Sequence, residues 1–319
     1  PILALFMPPS WFPLEHLTVV EQRVIALFIM AALFWVFEPI PIYATSILII
    51  VLELIMISDK GFILFRGEGA DFGQLMSYKE IMGTMASPII LLFLGGFFLA
   101  MSATKYRLDQ NLARVLLAPF GTDPKWMMMG LMIITAFFSM FMSNTATTAM
   151  MLSLLVPVLQ AFEPGDKGRV AFALSIPLAA NLGGIGTPIG TPPNAIALKY
   201  LTGDDYISFG EWMAFGVPLA LVLLAVAWLF LQVMFPVKTK SVQLNIKGQF
   251  LKTRKAYSVY VTFALTVLLW LTDFLHGMNS YIVAMIPVGI FLSLGIINKE
   301  DIKLISWDVL WLVSGGIAL

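Results

Sequence analysis

WMMMGLMIITAFFSMFMSNTATTAMMLSLLVPVLQAF, residues 126–162, is a run of 37 residues without a single charge. A helix that crosses a bilayer needs about 20 apolar residues. The run is too long for one crossing. It is too short, with too polar a centre, for two crossings and a loop in water. That centre reads Ser143-Asn144-Thr145-Ala146-Thr147-Thr148. The geometry that satisfies both limits is a re-entrant hairpin, with its polar tip near mid-membrane and both ends on one side. Non-helical backbone at that depth survives only when it is buried in protein or lines a cavity. In a membrane protein such a cavity is a place to hold cargo.

The rest of the chain has a matching composition. It is 59% hydrophobic and 12% charged, with a mean hydropathy of +0.90. Soluble domains carry about twice that charge. No alternating ten-residue strands appear, which excludes a β-barrel and leaves an all-α, multi-pass membrane protein. The net charge is zero, so no nucleic acid or other polyanion is expected as a partner. The chain has no cysteine, hence no disulfide framework and no thiolate metal site. Its two histidines, His16 and His276, are too far apart in sequence to argue a metal cluster or a catalytic triad. An enzyme built on Ser143 as nucleophile would need a base, and no His or Lys falls inside the bilayer. The chain is therefore read as no enzyme; a passive channel is the other remote reading.

Charge-poor runs place crossings at 19–37, 41–57, 81–104, 170–200, 212–237, 256–275 and 280–298, and another opens near Trp307. Pro1–Met7 reads as the end of a helix that starts before the chain, not as a cleavable signal. Trp35, Trp126, Trp212, Trp270 and Trp307 fall near run ends, as interfacial aromatics do, with packing as the competing role. In residues 104–120, Leu108, Leu112, Val115 and Leu116 form one apolar stripe; the segment is either an interfacial helix or a solvated one. The loop 238–255 holds Lys238, Lys240, Lys247, Lys252, Arg254 and Lys255 and no acid, so it belongs in the cytoplasm. Alternation then puts 104–125, 163–169 and 299–306 inside too. These four segments hold 14 of the 19 Lys and Arg, but only if the hairpin enters and leaves on one side. Glu38 and Glu53 lie at or near span ends. Glu38 reads as solvated, and Glu53, a turn from its span end, as able to snorkel.

Two stretches share an order of matches. Leu33-Phe34-Trp35-Val36-Phe37-Glu38 pairs with Leu268-Leu269-Trp270-Leu271-Thr272-Asp273, Tyr43 with Tyr281, and Gly95-Gly96 with Gly315-Gly316. Met7-Pro8 echoes Phe235-Pro236. The loop 58–86 has no equal in the second copy. An odd number of crossings in copy one inverts copy two, and inverted repeats with broken helices mark secondary transporters. The second copy stops after its Gly-Gly, so the parent chain is expected to run on for roughly 110–130 residues.

A second uncharged run, Val170–Leu198, carries Asn181-Leu182-Gly183-Gly184-Ile185-Gly186-Thr187-Pro188-Ile189-Gly190-Thr191-Pro192-Pro193-Asn194 at its centre. That much Gly and Pro argues for a helix unwound at mid-depth. No Gly-Lys-Ser/Thr follows, so it is no nucleotide loop. At the hairpin tip one helix ends near Met142, leaving free carbonyls. The next begins near Asn144 with Ser143 as cap, leaving free N–H groups. One tip thus offers a cation site beside an anion site. Carbonyls of 181–194 and the Thr187 and Thr191 hydroxyls add oxygen ligands of the kind sodium prefers. Ser139, one turn before Ser143, is either a further ligand or a packed serine.

The Ser143-Asn144-Thr145 triplet followed by Gly-Gly-x-Gly-Thr-Pro-x-Gly-Thr-Pro-Pro-Asn resembles the divalent anion:sodium symporters, the dicarboxylate transporter family called INDY. The resemblance covers the whole chain. It implies an elevator-type, sodium-coupled importer of C4-dicarboxylates such as succinate, malate and fumarate, working as a homodimer in the cytoplasmic (inner) membrane. A sodium-independent exchanger and a sulfate or citrate transporter are the neighbouring possibilities. It implies sodium ligands from Ser139, Ser143, Asn144 and Gly186, and substrate contacts from Asn144, Thr145, Thr187 and Pro188. Whether Gly186-Thr187 or Gly190-Thr191 stands nearer stays open. The implied organisation is scaffold over 1–120, transport elements over 121–205, and a second scaffold segment over 206–319. The second Ser-Asn-Thr hairpin of the family is absent from this chain.

Overall fold

The computed structural model describes residues 17–160, 162, 163, 165–242 and 249–319. Pro1–Met7, the Met7-Pro8 echo, His16 and Lys247 lie outside the described residues. The helices are α1 (Val19–Phe37), α2 (Ile42–Met56), α3 (Pro88–Lys105), α4 (Leu108–Leu117), α5 (Pro124–Ser139) and α6 (Asn144–Gln160), followed by α7 (Gly168–Gly184), α8 (Pro192–Tyr200), α9 (Phe209–Met234), α10 (Arg254–Leu271), α11 (Ser280–Ser293) and α12 (Trp307–Ala318). Short turns stand at Tyr78–Gly83, Asp273–His276 and Lys299–Ile302.

Local chemistry fixes where these helices begin. Thr18 with Glu21 opens α1, and Ser208 with Glu211 opens α9, each as a reciprocal capping box. Asp123 caps α5 ahead of Pro124, Thr253 caps α10 and Asn279 caps α11. The span expected at 81–104 starts later as a continuous helix. Tyr78–Gly83 and a 3-10 turn, Thr84–Ala86, precede Pro88, which has no N–H to give an earlier turn. The span expected to 275 ends at Leu271, before the separate turn Asp273–His276.

The described residues form two compact units, one within Pro1–Leu91 and Ser306–Leu319, the other within Leu92–Ile305. In the first, α1 and α2 pack together and α12 lies along α2. Its core joins Val20, Ile50, Met56, Ile57, Ile81 and Ala318. Glu53 does not snorkel: it is 1% exposed, on the α2 face that carries Thr45, Ser46, Ile49 and Ile50 inward. The one-turn distance from the helix end was misleading because the chain folds back over that end, as Phe62 N–H donating to Ile55 O shows. Glu38 is exposed, in a left-handed turn at φ 45°.

In the second unit α7 is central, packed on α5, α6 and α9. Phe138, Leu131, Met132, Met151, Phe172 and Ile176 are among its buried core. Trp212 and Trp270, expected at the interface, are packing residues. Trp270 is fully buried, stacks on Phe209 and donates to Ser280 O at 3.1 Å. Trp126 and Trp307 are exposed. The stripe of the 104–120 segment divides along its length: Leu108 is buried and Leu112 packs on the core, whereas Val115 and Leu116 are exposed.

Two close helix contacts bear on the repeat. A Cβ on Gly315 of α12 would overlap Ser46 of α2. A Cβ on Gly95 of α3 would overlap Ala284 of α11. In the register that pairs Tyr43 with Tyr281, Ser46 pairs with Ala284, while Gly95 pairs with Gly315. In that register the two glycine contacts fall at matching positions.

Candidate functional site

The hairpin tip and the unwound segment meet. α5 ends at Ser139, three residues before the expected Met142, because Met140 leads into a tight turn in which Phe141 and Met142 N–H both donate to Phe138 O. α6 starts at Asn144 as expected, and Ser143 Oγ accepts from Ala146 N–H at 3.2 Å. The break in the second run is narrower than 181–194. Asn181–Gly184 stay in α7 and Pro192–Asn194 start α8, leaving 185–191 unwound. Proline is well placed at a first helical turn, where its missing N–H costs nothing. Gly183 is retained in the helix because α5 passes so close that a Cβ would overlap Ala136.

Asn144 is the meeting point. One end of its amide lies 2.6 Å from Ser139 Oγ, where the hydroxyl donates to it, and 3.2 Å from both Ala180 O and Gly190 O. The other end lies 3.1 Å from Asn181 Oδ1. With the amide oxygen at the first position, four oxygens converge: Ser139 Oγ, Asn144 Oδ1, Ala180 O and Gly190 O. That is hard-oxygen coordination without a formal charge, the kind an alkali cation takes. With the amide turned over, its NH2 satisfies the two carbonyls itself. The hydrogen-bond surroundings favour this turned amide, whose NH2 faces the acceptors. Gly184 makes room for it; a Cβ there would stand 2.7 Å from Asn144 Oδ1.

The unwound segment is tied on three sides. Thr187 is fully buried and its hydroxyl donates to Met140 O, joining the two breaks. Asn194 Nδ2 donates to Gly184 O and Thr187 O, both at 2.9 Å, and so spans the gap. Trp212 Nε1 donates to Ile185 O at 3.0 Å from α9, and Gly216 below it leaves space for that carbonyl.

Of the expected residues, Ser139, Ser143, Asn144 and Gly190 lie at or beside this junction. Gly186 packs instead on Met140, where a Cβ would stand 2.8 Å from its Cε. Thr187 and Pro188 are buried, Thr191 is half-buried, and Thr145 is exposed on the first turn of α6. Sequence reading missed Ala180 and Met140, which contribute only backbone carbonyls, and the roles of Asn181 and Asn194. The signal for the two asparagines was present: each is a polar amide in a run with no charge. Electrically the junction brings the C-terminal ends of α5 and α7 and the N-terminal ends of α6 and α8 to one place, so opposite partial charges stand side by side.

Comparison with known proteins agrees with this architecture. The family model described as citrate transporter matches residues 32–319. The chain is 30% identical over 306 residues to the inorganic phosphate transporter PHO87 of Saccharomyces cerevisiae, covering 94% of this chain and 32% of that protein. It is 31% identical over 336 residues to the sodium-dependent dicarboxylate transporter SdcS of Staphylococcus saprophyticus, covering 93% of this chain and 61% of that one. It is also 30% identical to an uncharacterized transporter of Schizosaccharomyces pombe, covering 94% of this chain and 34% of the relative. The chain thus spans about a third to three fifths of the length of the curated relatives it matches. Its all-helical fold, its apolar helices and the match over most of its length agree: the chain belongs to the citrate transporter family, whose members are membrane transporters and not enzymes.

Proposed function

We propose that the protein containing this chain is a sodium-coupled symporter of C4-dicarboxylates, succinate, malate and fumarate, in the cytoplasmic membrane. The convergence of Ser139, Asn144, Ala180 O and Gly190 O is the observation that carries the reading. These oxygens supply sodium ligands, while the α6 and α8 N-termini, with Ser143, Asn144, Thr145 and Thr191, face the carboxylates. Thr187, Pro188 and Gly186 hold the unwound segment in place. SdcS, by its name a sodium-dependent dicarboxylate transporter, supports sodium and dicarboxylate together. Phosphate is the second reading, favoured by the yeast relative, since a helix N-terminus suits any oxyanion.

Transport in this reading is of elevator type, in a homodimer. The transport elements are residues 121–205, joined by α9, which lies on α5 and α7. The scaffold comprises 1–120 and the remainder of 206–319. The reciprocal contacts Gly95–Ala284 and Gly315–Ser46 support an inverted repeat. The test uses the full-length protein in proteoliposomes. Asn144→Ala is expected to abolish sodium-driven succinate uptake, and Ser139→Ala to raise half-saturating sodium about tenfold, equivalent to about 1.4 kcal/mol. Uptake by Asn144→Ala with wild-type sodium dependence would refute the site. Succinate, citrate and phosphate competed against one another decide the anion, and succinate counterflow without sodium identifies an exchanger.

A further inference from the structure

The loop after α2 has no counterpart in the second copy, and it is built to present apolar side chains. α2 has 15 residues, about 22 Å of helix at 1.5 Å per residue. That falls short of the roughly 30 Å of hydrocarbon a span must cross. Its outward stripe runs through Tyr43, Val51 and Ile55, with Val51 42% and Ile55 40% exposed. Beyond Met56 the chain doubles back. Phe62 N–H donates to Ile55 O at 2.9 Å, which brings residue 62 to the level of the last turn of α2. Gly61 permits this, since a Cβ there would stand 2.5 Å from Ile55 O and 2.8 Å from Leu54 O.

At this level sits a 3-10 turn, Ile63–Phe65, whose leading side chains point outward. Phe62 is 54%, Ile63 73% and Leu64 77% exposed. The turn is firmly held. Arg23 donates to Met56 O at 2.7 Å and to Phe65 O at 2.6 Å, and its guanidinium lies 5.2 Å over the Phe65 ring. Arg66 closes the turn on Gly61 O, at 2.8 Å from Nε. Three adjacent apolar side chains held outward mark a contact surface. Lys60 and Arg66 flank them, the pattern of aromatic and basic residues at a membrane boundary.

We propose that Phe62-Ile63-Leu64 is a wedge that enters the bilayer leaflet at the C-terminal end of α2. Its partner is the boundary between acyl chains and phosphate headgroups. Continuity with the outward stripe of α2, in a chain that is a membrane protein, identifies this partner. The wedge extends the apolar reach of a short helix and anchors the unit against the membrane plane.

Nitroxide labels on Ile63→Cys and Leu64→Cys of the full-length protein test it, in phosphatidylcholine–phosphatidylglycerol vesicles. The chain contributes no cysteine of its own to compete for label. Collision with oxygen is expected to exceed collision with a water-soluble nickel complex several-fold at both sites, as at Val51→Cys. Glu68→Cys, exposed on the same loop, is expected to show the reverse. Nickel-dominated accessibility at 63 and 64 would place the turn in water and overturn the wedge. Low accessibility to both reagents with spin–spin broadening would assign the surface to a second copy and overturn it equally. Both labelled sites are exposed, so the substitutions leave the packing of the unit intact.

Discussion

At the scale of single residues, the amides decide the site. With its NH2 turned toward Ser139 Oγ, Ala180 O and Gly190 O, Asn144 ties the hairpin tip to the unwound segment. Asn194 does the same across the break: its NH2 bonds Gly184 O and Thr187 O. Asn194→Ala takes this donor from Gly184 O, while Thr187 O keeps Gly190 N–H, so the loss is expected at about 1–3 kcal/mol in all. Asn194→Asp is expected to be worse, because a carboxylate would face those carbonyls. Thermal denaturation in detergent checks the order Asn, Ala, Asp; an Asp variant as stable as the parent would show that the bridge does not hold the break. The two asparagines were visible in the sequence as polar amides inside charge-free runs. Their partners were not, since every alanine or methionine carries the same carbonyl.

At the scale of elements, glycine sets how closely helices approach. Gly190 faces Gly184 across the break, and Gly183 faces Ala136 across the α5–α7 contact. Gly183→Ala is expected to destabilise by about 1–3 kcal/mol, the usual effect of forcing atoms into a packed core. Gly289→Ala meets nothing within 4 Å and serves as the neutral control. The reciprocal contacts give a sharper test. Gly315 meets the Ser46 side chain as well as its Cα, so Ser46→Gly is expected to recover part of the loss in Gly315→Ala. Gly95 meets the backbone carbonyl of Ala284, so Ala284→Gly is expected to recover little of Gly95→Ala. Melting temperatures of the four single and two double variants read both cycles. The existence and order of the apolar helices were legible from charge-free runs. The exact ends were not, because caps, prolines and fold-back turns such as 57–62 act after composition has had its say.

At the scale of the molecule, one carboxylate joins distant loops of the second unit. Asp166 accepts from Gly168 N–H at 2.8 Å, from Thr239 N–H at 2.9 Å and Oγ1 at 2.7 Å, and from Lys238 N–H at 3.2 Å. Nearby, Val242 N–H donates to Thr122 O at 2.9 Å. The start of the α9–α10 linker is thereby bound to the ends of the hairpin and of α7. Burial alone would raise the Asp166 pKa; the Thr239 hydroxyl and then the Gly168, Thr239 and Lys238 N–H groups outweigh it and hold it below the usual carboxylate range. A depressed carboxyl pKa stabilises fully above the unfolded value of about 3.9 and is lost only as pH falls through the folded value. Asp166→Asn is therefore expected to lower the melting temperature by a constant amount from pH 8 to about pH 4, with the gap closing only below that. A gap that closed between pH 7 and 5 would show that another group titrates there.

Sequence alone determined that this is a helical membrane protein with two polar breaks in charge-free runs, and its motifs determined the family. Hydrocarbon leaves few solutions for an uncharged run, so composition is nearly decisive there. Tertiary structure decided which carbonyls surround Asn144, that Thr187 spends its hydroxyl on Met140, that Glu53 and Trp270 are buried, and that Phe62–Leu64 faces outward. These outcomes depend on where a folded backbone brings atoms far apart in sequence, and carbonyl positions leave no mark on residue type.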